Sequence, residues 1–170
     1  VLNIDVEQKA THYLNQNKLV AVLGGDHNSP LGLINALATK HHTFGILQID
    51  AHADLREAYE GFEYSHASIM FNALKNPDVT KLVQVGIRDI CPAEIDIIKN
   101  SKGRIKTFFD WDIKAKLYSG KSWASICDDI IDGLAYDSLY VAEVKEQRLA
   151  PEEILKSFKQ QFPERKAFYY

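Results

Sequence analysis

Short apolar runs alternate with helical stripes along most of this chain, and that alternation restricts its fold more than any other feature. Lys18 to Leu23, Phe44 to Ile49, Lys81 to Ile87, Arg104 to Phe109 and Ser138 to Val144 read as buried strands. Between them lie helical signals. Asp5 and Gln8 have capping-box spacing for a helix towards Gln16, and Ser29-Pro30 precedes a stripe of Leu31, Ile34, Leu37 and Ala38. A helix follows from about His66 to Lys75. Pro92 opens another towards Ile98, Trp123, Ile126, Ile130 and Ile131 mark the next, and Pro151 starts a last one holding Ile154, Leu155 and Phe158. Strands that are apolar throughout and separated by helices imply an α/β fold: a three-layer arrangement with helices on both faces of a parallel sheet. No repeat or linker interrupts the pattern, so residues 1–170 are expected to form a single domain.

Composition narrows the function classes. A hydrophobic content of 46% over 170 residues excludes a disordered tail and suits a packed core. The net charge of −3 argues against nucleic acid as a partner. No apolar run approaches the ~20 residues that span a bilayer, so no membrane association is expected. No charged start leads into an apolar segment, so no signal peptide is expected either; the initial Val1 suggests a natural start upstream. Cys91 and Cys127 have no metal-ligand spacing and read as reduced thiols of a cytoplasmic protein.

Two strands end in unusual residues, where open α/β sheets place their sites. The first runs into Gly24-Gly25-Asp26-His27-Asn28 and the second into Asp50-Ala51-His52-Ala53-Asp54. In extended backbone, alternate side chains point the same way, so Asp50, His52 and Asp54 are expected to converge. Each run alone has an ordinary structural explanation, with Asp50 capping a turn and His52 exposed. Carboxylates and imidazoles gathered together instead require neutralising cations. A mixed oxygen and nitrogen set without thiolate suits Mn²⁺, Fe²⁺ or Zn²⁺, and its carboxylate richness favours Mn²⁺. Calcineurin-like phosphoesterases use related runs in a different order, with Asp-x-His first, and are set aside.

Gly24-Gly25-Asp26-His27, Asp50-Ala51-His52-Ala53-Asp54 and Ser65-His66-Ala67-Ser68 resemble the ureohydrolases: arginases, agmatinases and formimidoylglutamases. Leu55-Arg56, Tyr64-Ser65-His66-Ala67 and Val85-Gly86-Ile87-Arg88 are most similar to agmatinases. The resemblance implies an arginase-like sheet, two Mn²⁺ ions, and hydrolysis of a guanidinium, with agmatine giving putrescine and urea. It implies that His27, Asp50 and Asp54 ligate one metal, that His52 and Asp50 ligate the other, and that His66 is the catalytic histidine serving the leaving amine. Arginase or formimidoylglutamase specificity on the same scaffold is an alternative, as is a metal-poor, inactive homologue acting as an assembly or regulatory subunit. The expected partners are a small guanidino substrate and further copies of the chain, since the family forms trimers or hexamers.

The pattern changes after Tyr140-Val141. The family has two aspartates where Val144 and Glu146 stand, and residues 145–170 are atypical for it. The sheet is therefore expected to be incomplete, with Phe168, Tyr169 and Tyr170 as an edge strand or packing tail.

Overall fold

A computed structural model describes residues 2–134, 138–143, 156, 160 and 166–169. Its elements are α1 (Leu2–Asn15), α2 (Leu31–Lys40), β1 (Phe44–Ile49), a 3₁₀ turn (His66–Ser68), α3 (Ile69–Ala73), β2 (Val79–Ile87), α4 (Pro92–Asn100), β3 (Ile105–Phe109), α5 (Asp110–Tyr118), α6 (Trp123–Asp132), β4 (Ser138–Glu143) and β5 (Lys166–Tyr169). The sheet is parallel throughout, in the order β3-β2-β1-β4-β5. Every residue of β1 is buried, as a central strand covered on both faces requires. Among the described residues no helix is long and apolar enough to cross a membrane.

Strand alternation sorts the core into two layers. Phe44, Ile46 and Leu82 pack with α1, α2 and α3, joined by Ile97 and Ile98 of α4. Leu47, Ile49, Val83 and Val85 face Ile113 of α5 and Ile126, Ile130 and Ile131 of α6. The three-layer expectation is met. α1 crosses α2 at Gly32, where a Cβ would stand 2.4 Å from the Asn3 carbonyl oxygen, so only glycine allows the backbones this close.

Three expectations need correction. Lys18–Leu23 is not a strand. It keeps a two-residue alternation, with Val20 and Val22 against the core while Leu19 and Leu23 are exposed, but it joins no ladder among the described residues. Periodicity reports which side is buried and does not supply a partner strand. α1 already includes Leu2, which puts Asp5 in its first turn rather than at its cap. Ser29 does not cap α2; its hydroxyl donates to the Asp26 carbonyl at 2.6 Å. α5 has no counterpart in the sequence reading. The expected helix from Pro151, the tail residue Tyr170, and Val144 and Glu146 lie outside the described residues, while the backbone of Lys166–Tyr169 forms an edge strand on β4.

Candidate metal centre

Two segments reach the carboxyl edge of the sheet by different routes. Gly24 to Asn28 follows an unpaired stretch and is shaped by Asp26. Its Oδ1 accepts the Asn28 N–H at 3.1 Å and its carbonyl accepts the Ser29 N–H at 3.0 Å. Asp26 is exposed and builds the turn into α2, while the adjacent His27 points inward. His27 Nδ1 lies 2.7 Å from Asp54 Oδ2 and 3.2 Å from Asp50 Oδ2.

Asp50 to Asp54 leaves the end of β1. The extended alternation expected here fails, because Asp54 is left-handed, with φ at 54°. Aspartate tolerates this better than most residues, and the surrounding bonds hold it there. The Asp54 carbonyl accepts the N–H groups of Met70 and Phe71 at 3.0 and 3.2 Å, which ties the loop to the start of α3. The Leu55 N–H donates to Glu94 Oε1 at 3.0 Å, and Glu94 Oε2 accepts the Cys91 N–H at 3.0 Å as half of a capping box on α4.

These turns bring His27, Asp50 and Asp54 together, with one donor atom of each inside a 4.8 Å span. His52 stands outside that group, with its side chain 55% exposed. Its Nδ1 lies 3.5 Å from Asp50 Oδ1 and its Nε2 lies 3.8 Å from Asp89 Oδ2. Asp50 thus offers one oxygen towards His27 and the other towards His52. His66 opens the 3₁₀ turn, exposed, with its ring 5.4 Å from that of Tyr59. It lines the same cavity of about 430 Å³ as His27, Asp50, His52 and Asp54. A smaller neighbouring cavity of about 210 Å³ adds Arg56, Tyr59 and Asp89.

The electrostatics suit a cation. Burial, reinforced by the charge of Asp50, pushes the Asp54 carboxyl up to about 6, against the opposing bond from His27. Burial alone would lower the His27 pKa, but the bond to Asp54 and the charges of Asp54, Asp50 and Asp26 raise it. Two buried carboxylates facing one imidazole leave an excess of negative charge. A divalent ion offsets that charge, and the nitrogen–oxygen donor set fits one.

Sequence reasoning missed three buried polar residues beneath the site: Gln48, Gln84 and Glu94. The signals were present. A glutamine interrupts each of two apolar strands, and Cys91-Pro92-Ala93-Glu94 has cap-to-third-residue spacing.

The arginase family model matches residues 2–142. The chain belongs to the arginase family. Among curated relatives, N(1)-aminopropylagmatine ureohydrolase of Thermus thermophilus is 40% identical over 83 residues, which is 49% of this chain and 28% of that protein. Guanidinobutyrase of Pseudomonas aeruginosa is 32% identical over 85 residues, 49% of this chain and 27% of that protein. These matches span under a third of either relative. Among solved structures, the arginase of Bacillus cereus superposes with a TM-score of 0.75 at 20% identity, covering 98% of this chain and 67% of that one. The agmatine ureohydrolase of Thermoplasma volcanium gives 0.70 at 17% identity, covering 99% and 59%. Both share the arginase fold.

Proposed function

We propose that this arginase-family chain carries the metal-binding edge of an agmatinase-like, binuclear-manganese ureohydrolase, which releases urea and putrescine from agmatine. The observation that supports this most is the convergence of His27, Asp50 and Asp54, with His52 on the second oxygen of Asp50. In this reading His27, Asp50 and Asp54 hold one ion, and Asp50 and His52 contribute to the other. Bound manganese would supply Lewis-acid activation of water near neutral pH. The chain's own residues do the rest. The buried carboxylates orient the site, and the cavity beside Tyr59 and Asp89 receives the substrate. His66, which lines the cavity outside the ligand cluster, passes a proton to the departing amine. We further assign the protein to the cytoplasm, as one domain of a homo-oligomer; neither Cys91 nor Cys127 is in a disulfide.

One observation favours a second reading. Valine cannot ligate a metal, and Val144 stands where the family pattern has an aspartate, so the chain could serve as a metal-poor subunit. β4 runs beside β1 with Glu143 opposite Ile49, the residue before Asp50. Manganese content and urea release from agmatine, measured on the parent and on Val144→Asp/Glu146→Asp, separate the two readings. We expect the double variant to release urea far faster than the parent, and His66→Ala within it to lower the rate roughly 10²–10⁴-fold with manganese retained. His52→Ala should lose both. No urea from a manganese-loaded double variant contradicts the ureohydrolase reading, and metal loss in His66→Ala contradicts the role given to that residue.

A further inference from the structure

β1, β2 and β3 each place one polar side chain at a shared register, with Gln48 opposite Gln84 and Gln84 opposite Thr107. Both glutamines are fully buried, on the face of the sheet where Phe44, Ile46 and Leu82 pack. They are linked in one direction. Thr107 Oγ1 donates to Gln84 Oε1 at 2.9 Å, and Gln84 Nε2 donates to Gln48 Oε1 at 2.6 Å and to the Ala53 carbonyl at 2.7 Å. Gln48 Nε2 then reaches Asp50 Oδ2 at 3.2 Å, Asp54 Oδ2 at 3.4 Å and the His52 carbonyl at 3.1 Å.

The direction of this chain is fixed by chemistry. An amide side chain can be turned over, but a backbone carbonyl only accepts. The Ala53 carbonyl therefore requires the nitrogen of Gln84, which leaves its oxygen for the Thr107 hydroxyl. The His52 carbonyl likewise requires the nitrogen of Gln48. The side-chain series therefore runs one way, from the Thr107 hydroxyl through Gln84 to Gln48 and on to the two carboxylates. A neutral donor also differs from a lysine at the same place: it restrains the carboxylates without neutralising them, and so leaves their charge for a cation.

We propose that Thr107, Gln84 and Gln48 form a positioning relay, spanning three strands, that orients Asp50 and Asp54 for a divalent cation. This rests on the reading of His27, Asp50 and Asp54 as its ligands. Thr107, two strands from the site, becomes a determinant of metal affinity.

The test compares the full chain with Gln48→Met, Thr107→Val and Thr107→Ser by three measurements: Mn²⁺ titration calorimetry, the visible absorption of the Co²⁺-loaded protein, and the thermal midpoint of the metal-free protein. Gln48→Met should weaken Mn²⁺ binding about tenfold or more and shift the Co²⁺ bands. Thr107→Val should weaken binding roughly threefold, while Thr107→Ser, which keeps the hydroxyl, binds like the parent. A packing role reverses the threonine result, because valine preserves the shape that serine loses, so weaker binding by Thr107→Ser than by Thr107→Val overturns the relay. Should Gln48→Met fail to fold, the threonine pair decides. Parent-like affinity and absorption in Gln48→Met overturn the relay alone. A parent that takes up no Mn²⁺ overturns the metal reading and the relay with it.

Discussion

On the face packed by α5 and α6, Leu47, Ile49, Val83 and Val85 pack in an apolar cluster with Ile113, Ile126, Cys127, Ile130, Ile131 and Leu134. The opposite face begins the same way at Phe44, Ile46 and Leu82, then turns polar at Gln48 and Gln84 just before the strands reach the site. The same two strands, β1 and β2, therefore bury two kinds of surface. The first face needs only apolar volume, and many sequences would satisfy it. The second buries amides that must each find a partner, which ties two particular glutamines to particular acceptors. Stability should be concentrated on one face and site geometry on the other.

The largest expected effect tests the apolar face. Ile130 is fully buried in α6, so Ile130→Ala should cost about 2–5 kcal/mol in chemical denaturation. Mn²⁺ affinity of the folded protein should be unchanged. A matching fall in affinity would show that the two faces are not separable.

A smaller effect is expected from pH, and it comes from the site. Asp54 titrates at about 6 in the fold against 3.8 unfolded, so its protonated form favours the native state. That stabilisation is complete below pH 3.8 and is lost as pH rises through about 6. His27 acts in the same sense: its raised pKa stabilises the fold below 6.5, and this is lost as pH rises through the folded value. Asp129 on α6 is held low by hydrogen bonds from Lys121 and Lys116, so its contribution is lost only as pH falls below 3.8. It does not oppose the site groups near neutrality. Metal-free protein should therefore lose roughly 1–2 kcal/mol between pH 5 and 8, read from urea denaturation in chelator. Stability that rises over this range would contradict the electrostatic account of the site.

The sequence made the apolar face legible and left much of the polar one unread, for physical reasons. β1, β2, β3, α4 and α6 follow from apolar runs and stripes, which burial alone produces. Lys18–Leu23 carries the same signal without a partner strand, because periodicity contains no information about pairing. His27, Asp50 and Asp54 stood out as chemistry-bearing residues at chain positions where sites form, and the fold brings them together. How they converge was not legible. Asp54 arrives through a left-handed turn pinned by Glu94 and the start of α3, contacts 39 and about 16 residues away in sequence. The glutamines read as blemishes in apolar strands, since their meaning depends on a register that only the assembled sheet defines.

A cation site formed by the buried carboxylates is what the fold's polar face exists to serve in this reading. Mn²⁺ titration of the parent chain beside Asp50→Asn addresses this directly, with circular dichroism confirming the fold of both. Asparagine keeps the shape of Asp50 and removes the charge that both imidazoles face. We expect saturable Mn²⁺ binding by the parent and its loss in Asp50→Asn with the fold retained. A folded Asp50→Asn that binds Mn²⁺ as tightly as the parent would contradict the central claim.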